Sequence, residues 1–429
     1  MLDYTKITYQ VKEKVLNFSA KISKSTSKPF QKFIFEMLYG ILESNSVLLS
    51  NIARALKEKI TLKKLIERLS RNLNSFSDGK LVNDNYISHI KHDINDNTVF
   101  CVDGSDITKR KSKKLEALGK VRDGSTGETN INGYNMFEIA AIAKNFKMPI
   151  PVYSKIYSNV EKYFESENTE TLEGLDFVRR TFNKKGTFAL DRGYDSDLFF
   201  EYFCKWELKF VIRCKSNRNV IWMGKTINIL DLANRAKTEY SCTVKLKNNQ
   251  KKTLNFTYLN IELPDMPDTP LILVVVKGFG KKPMMLITNL EAGSEKLTYA
   301  ILRTYIQRWK IEEYFKFKKQ QFDLENIRVR SLNSIRNLNL ILTVLIGFIA
   351  HFSERAKNDS LYRCIVKLST RIYKIPRFDY YAIADGIYNL LKCTKTGIEH
   401  LYKSRIKNKH SEQLTLFDSY SYNVFDQIA

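Results

Sequence analysis

Between residues 98 and 215 the apolar pattern changes period repeatedly, and the order of those changes leaves few architectures open. TVFCVDGSD (98–106), MFEIAAIAKN (136–145) and PIPVYSKIY (149–157) read as strands, and TETLEGLDFVRRTF (169–182) reads as a helix. GTFALDRGYDSD (186–197) is a strand that stops at Asp191, LFFEYFCKW (198–206) a helix, and KFVIRCK (209–215) another strand. Three strands, helix, strand, helix, strand predict an α/β protein built on a mixed sheet with helices on its faces.

The flanks differ. Residues 1–95 carry helical periodicity. TLKKLIERLSRNL (61–73) sets Leu62, Leu65, Ile66, Leu69 and Leu73 on one face and Lys63, Lys64, Arg68 and Arg71 on the other, with Thr61 as N-cap. The preceding SVLLSNIARALKEK fits either the first half of a helix-turn-helix or a plain amphipathic bundle with a basic outer face. Residues 216–292 read as all-β, with two strands around a turn at Asn248–Asn249 and two more around a Gly/Pro turn. The expected organisation is a helical N-terminal domain (1–95), an α/β core (96–331) interrupted by an inserted all-β subdomain (216–292), a helical C-terminal region (332–402) and a polar tail (403–429).

Lys and Arg number 70 against 46 Asp and Glu, a net charge of +24. Such an excess attracts a polyanion, nucleic acid first. A basic membrane-surface protein is the competitor, and it requires an anchor. MLDYTKITYQ does not read as a signal peptide, and LNLILTVLIGFIAHF (338–352) is short for a bilayer span and contains His351, so a buried core helix is expected there. The six cysteines form no CxxC pair and the histidines do not cluster with them, which predicts reduced, buried thiols in a cytoplasmic protein, not a zinc site. Without a GxxxxGK[ST] loop, ATP is not expected.

YIQRWKIEEYFKFKK (305–319) is the most informative stretch for chemistry. On a regular helix, Tyr305, Arg308, Glu312 and Lys319 fall within about 60° of one another. Ile306, Ile311, Tyr314 and Phe317 lie roughly opposite. The stripe is either a solvated face with spaced ion pairs, Arg308 and Glu312 being an i,i+4 pair, or a functional surface. Asp103 and Asp191 each end a predicted strand, where α/β sites gather and where turn-forming Asp is also common. Glu312 adds a third carboxylate. Three carboxylates without His or Cys partners suit hard cations such as Mg²⁺, and two such ions about 4 Å apart serve phosphate-ester cleavage. A basic protein with a sheet-borne acidic triad is a candidate metal-dependent nuclease or strand-transfer enzyme.

With those residues in view, the chain resembles the DDE transposases of bacterial insertion sequences, in the branch with a YREK signature (insertion-sequence family four). Tyr305, Arg308, Glu312 and Lys319 keep every spacing of that signature, flanked by Trp309, Ile311 and Glu313. VDGSD around Asp103 and LDRGYD around Asp191 are similar to the family's first and second Asp motifs, and the β-rich block before the Glu also matches. The resemblance covers roughly residues 99–331. It implies an RNase H-like core in which Asp103, Asp191 and Glu312 hold two Mg²⁺ or Mn²⁺ ions. It implies hydrolysis at transposon ends and attack of the freed 3′-hydroxyl on target DNA, without ATP or a covalent protein intermediate. Its double-stranded DNA partners are terminal inverted repeats and target, acted on by a homodimer in a synaptic complex, away from membranes, in the bacterial cytoplasm at the nucleoid. Tyr305, Arg308 and Lys319 are then DNA contacts, and Trp309 either stacks on an extruded base or is a core Trp. Other readings are a different RNase H-like nuclease, or a transposase-derived DNA-binding protein without cleavage.

Of the neighbouring residues, Asp103 is preferred over Asp106 because it directly follows the apolar run, Asp195 and Asp197 are expected to cap a helix, and Glu313 to form a salt bridge. The basic, Gly-rich stretch 109–134 is either a solvated loop or a DNA-contacting one. Lys245, Lys247, Lys251 and Lys252 either bind phosphates or keep a sheet edge soluble.

Overall fold

The computed structural model describes residues 4–143, 146, 148–245, 251–355, 360–369, 379–398 and 401. Five helices come first: α1 (Tyr4–Ile22), α2 (Lys28–Ser44), α3 (Leu49–Leu56), α4 (Leu62–Ser75) and α5 (Gly79–Ile90). The sheet follows with β1 (Val99–Thr108), β2 (Gly119–Val121), β3 (Ile131–Ile142) and β4 (Ile150–Tyr157). Then come α6 (Glu167–Thr181), β5 (Thr187–Leu190), α7 (Asp197–Lys205) and β6 (Lys209–Arg213). β1 and β5 begin with unbroken buried runs, as strands covered on both faces do.

The strands β4-β3-β1-β5-β6 are neighbours in that order. β4 and β3 run antiparallel, as do β3 and β1, while β1, β5 and β6 are parallel. This is an RNase H-like arrangement. Gly186 has φ +81, and a Cβ there would stand 2.9 Å from the Thr98 carbonyl. Only glycine lets the chain enter β5 so close to β1, where Thr187 N donates to Thr98 O at 2.8 Å. The register of β5, and with it the place of Asp191, follows.

Three expectations need correction. β1 does not stop near Asp103: it continues to Thr108, paired with β3 throughout, and what ends at Val102↔Leu190 is its parallel pairing with β5. The insertion is neither all-β nor set apart. It holds β7 (Asn219–Trp222), β8 (Lys225–Asn228), a short helix α8 (Ile229–Arg235), β9 (Tyr240–Lys245), β10 (Lys251–Leu263), β11 (Met266–Lys277) and β12 (Met284–Thr288). β12 pairs with β6, so the insertion extends the central sheet to twelve strands among the described residues. Of the six free cysteines, only Cys101, Cys214 and Cys364 are buried, and Cys393 is exposed. The turn at Asn248–Asn249 and the polar tail 403–429 lie outside the described residues.

Helix returns as α9 (Glu295–Gln307), α10 (Lys310–Lys316), α11 (Leu332–Arg355), α12 (Ser360–Leu368) and α13 (Asp379–Lys392). Leu332–Ser353 of α11 is long and apolar enough to cross a membrane, and 89% of its most apolar window is buried inside the protein. α11 packs on β4 and touches α2, α4, α5 and α13, which makes it the element that joins the sheet to the helical units.

Candidate active site

Asp103 and Asp191 are the first residues beyond the parallel β1–β5 ladder, so the two carboxylates emerge side by side where that ladder ends. The third group comes from the helical hairpin above. The signature stretch is not one regular helix. α9 ends at Gln307, Trp309 N bonds Ile306 O (3.3 Å) and Ile311 N bonds Arg308 O (3.0 Å), so the turn through Arg308 is tightened. After α10, residues Phe317–Gln321 open into a π turn.

Arg308, 3% exposed, spans two of the carboxylates. Nη1 donates to Asp103 Oδ2 at 3.0 Å and Nη2 to Glu312 Oε1 at 2.9 Å. Its Nε is buried without a hydrogen-bond partner among the described residues. Tyr305, fully buried, donates its hydroxyl to Asp191 Oδ1 at 3.2 Å. Tyr305, Arg308 and Glu312 thus meet Asp103 and Asp191 in one cluster, but with two members of the predicted stripe buried, not solvated.

The electrostatics show how closely these charges share space. Burial pushes the Asp103 carboxyl up to about 6; Asp191 and Glu312 push the same way, while Arg308 and the Gly104 N–H pull it down. Burial also opposes the Arg308 charge, yet the acidic groups around it hold the guanidinium protonated above its ordinary range. Burial lifts the Tyr305 phenol to about 12, and Asp191 adds to that, with Arg308 and Arg213 opposing.

Lys319 is displaced from the stripe. The π turn directs it to Asp106 (3.5 Å) and Glu325 (3.3 Å), away from Glu312. Asp106, which also accepts from Gly124 N at 3.1 Å, anchors the 109–134 loop and Lys319 together. Trp309 is half-buried, edge-on to Phe279 with ring centroids 5.4 Å apart, so the insertion touches the signature helix here. Asp195 and Asp197 do not cap α7, whose N-cap is Ser196; both instead bind Arg218. Glu313 pairs with Lys316 at 3.6 Å.

Two features escaped the sequence reading. Arg213, ending β6, lies within electrostatic reach of the Tyr305 hydroxyl; a cation closing the adjacent parallel strand was the available signal. Lys318, fully buried, pairs with fully buried Glu138 and donates to Thr343 Oγ1 at 2.9 Å. Glu138 faces Asp103 across the β1–β3 register. A lone Glu inside the apolar run MFEIAAIA was the readable hint.

The donor chemistry fits a hard divalent cation: carboxylate oxygens from three elements, with neither thiolate nor imidazole among them. Among the described residues no three acidic, His or Cys side chains are drawn together as an ion would draw them. The guanidinium lies between Asp103 and Glu312 and supplies the positive charge that their proximity demands.

Residues 94–347, well over half of the chain, match the family described as Transposase DDE domain. No curated protein matches the chain in sequence. Among solved structures, a similar chain is the piggyBac transposase of a cryo-EM synaptic complex with hairpin DNA, at 10% identity and TM-score 0.45, covering 95% of this chain and 85% of that one.

Proposed function

The chain belongs to the transposase DDE domain family, whose members move DNA by strand cleavage and strand transfer and generally use divalent metal ions, and we propose how its own residues divide that work. Asp103, Asp191 and Glu312 are the carboxylates that hold two Mg²⁺ or Mn²⁺ ions. When bound, such ions polarise the attacking oxygen and stabilise the leaving one. The observation that carries the assignment is the Arg308 bridge: one buried guanidinium holds Asp103 and Glu312 while the adjacent turn sets Tyr305 on Asp191.

Arg308 has a second task. Its planar fork matches a phosphate as well as two carboxylates, and its uncommitted Nε–H is a donor in reserve. With DNA present it turns from the carboxylates to the backbone beside the cut. Tyr305 keeps Asp191 oriented, Lys319 adds a point charge along the strand, and Trp309 contacts the DNA from the rim nearest the insertion. The kept spacing of Tyr305, Arg308, Glu312 and Lys319 supports placing the chain in the YREK-signature branch. The helical residues 1–95 serve as a DNA-binding domain ahead of the core 96–331, with residues 332–402 as a helical C-terminal region. The DNA is the terminal inverted repeats and a target duplex, joined by a homodimer at the bacterial nucleoid, without ATP.

The test uses the intact chain, Mg²⁺ or Mn²⁺, and duplex DNA ending in the inverted repeats that flank its gene. Cutting at the ends is expected, and Asp103→Ala, Asp191→Ala and Glu312→Ala each abolish it while DNA binding persists. Binding without cutting under either ion would overturn the proposal and leave a DNA-binding protein.

A further inference from the structure

A cleft of about 660 Å³ separates the N-terminal helices from the segment that leads into α11. Its near wall is the α3 start and a face of α4 that presents Ile66, Ser70, Arg71 and Asn74, distinct from the buried Leu65, Leu69 and Leu73. Its far wall is the extended stretch carrying Arg328 and Arg330. All three arginines are exposed, and among the described residues none of their side chains has an ion-pair or hydrogen-bond partner. Elsewhere the buried or half-buried arginines are committed, as Arg68 is to Glu36 and Glu58, and Arg218 to Asp195 and Asp197.

The walls are held rigidly. Val47 N donates to Phe322 O at 2.9 Å on one side, and Asn333 Nδ2 to Asn74 O at 2.6 Å on the other. The far wall is also tied to the strand that bears Asp103: Lys109, just beyond β1, donates to the carbonyls of Glu325 and Ile327, both at 2.6 Å. Glu325 pairs with Lys319, which reaches Asp106. The cleft is therefore tied through Lys109 and Lys319 to the strand that carries Asp103, with guanidinium groups on both walls.

We propose that this cleft binds the sugar-phosphate backbone of duplex DNA leading away from the cut, with Arg71, Arg328 and Arg330 on its phosphates. The inference rests on the reading of the chain as a DNA-cutting enzyme. Guanidinium forks on opposite walls suit a polyanion with regularly spaced phosphates, and the protein's +24 charge favours such a partner over a peptide. The contacts are to backbone, so they set position and affinity without reading sequence.

The full-length triple variant Arg71→Gln, Arg328→Gln, Arg330→Gln tests it, titrated with an inverted-repeat duplex and a random duplex of equal length over a range of salt. Each lost phosphate contact removes about 0.9 from the slope of log affinity against log salt, so the slope should fall by roughly 2 to 3 and affinity by at least about tenfold, on both duplexes. A control removes the same charge from exposed Lys185, Lys209 and Lys225 by substitution with Gln. A slope in the arginine variant within about one of the unaltered chain overturns the proposal, as does an equal loss in the lysine control. Cleavage by the unaltered chain is followed in parallel: binding without cutting sinks the enzymatic reading, while the difference between the two variants still decides the cleft.

Discussion

Arg308 is the residue on which the site turns. Its guanidinium is buried between Asp103 and Glu312, and under the proposed assignment a divalent cation and Arg308 would compete for the same oxygens. Arg308→Ala should raise Mn²⁺ affinity of the DNA-free protein by at least about tenfold, because a unit positive charge a few ångströms away costs a divalent ion several kcal/mol at an effective dielectric of about 20. Titration by calorimetry or Mn²⁺ resonance reads this directly, and unchanged or weaker binding would refute the competition. The same variant should lose cleavage, having lost its phosphate fork. At this scale the sequence was partly legible: it marked Asp103 and Asp191 as acids after apolar runs and Glu312 as an acid on the 305–319 stretch, and the structure gathers all three around Arg308 and Tyr305. It was silent on Arg308 as a bridge, because an i,i+4 pair on a helix looks the same whether solvated or buried.

Elements explain what the sequence hid. A helical wheel assumes one period, but this helix tightens at Arg308 and loosens into a π turn at Phe317–Gln321. Lys319 therefore leaves the stripe and Lys318 is driven inward onto Glu138, tying the π turn to β3, with Thr343 of α11 also accepting from it. Removing one partner of a fully buried pair strands the other charge, so Lys318→Met should cost about 3–5 kcal/mol in denaturant unfolding. Adding Glu138→Leu should recover most of that loss. If the double variant is as unstable as the sum of the two singles, the pair is not the source of the cost. The succession of strands and helices over residues 98–215 was largely legible from period changes, since buried parallel strands and amphipathic helices bury different patterns, but the short β2 was not. The union of the insertion with the sheet was not, because β12–β6 pairing is long-range and either edge of a β-rich block reads alike.

Across the whole molecule, buried lysines tie together segments far apart in the chain. Lys12 of α1 donates to the carbonyls of Thr396 and Gly397 at 2.7 and 3.0 Å, and Lys109 to those of Glu325 and Ile327. Burial lowers both ammonium groups to about 8. At these two lysines the unfolded chain then binds more protons than the folded one between about pH 8 and 10.5, so the pair contributes stability that grows with pH across that window, while thiols and phenols lifted by burial, Cys101 and Tyr305 among them, contribute with the opposite sign. Between about pH 8 and pH 10 the unfolding free energy of Lys12→Met with Lys109→Met should change less favourably than that of the unaltered chain, by on the order of 2 to 4 kcal/mol. The same pH dependence in both proteins would overturn the assignment. The proposed chemistry requires three carboxylates, from β1, the end of β5 and α10, to share metal ions once DNA displaces Arg308. Crystals of the intact chain with inverted-repeat DNA and Mn²⁺, measured at the manganese edge, decide it. The prediction is anomalous density among Asp103, Asp191 and Glu312 with Arg308 turned onto a phosphate. Manganese bound elsewhere, with the Arg308 bridge intact beside the DNA, would contradict it.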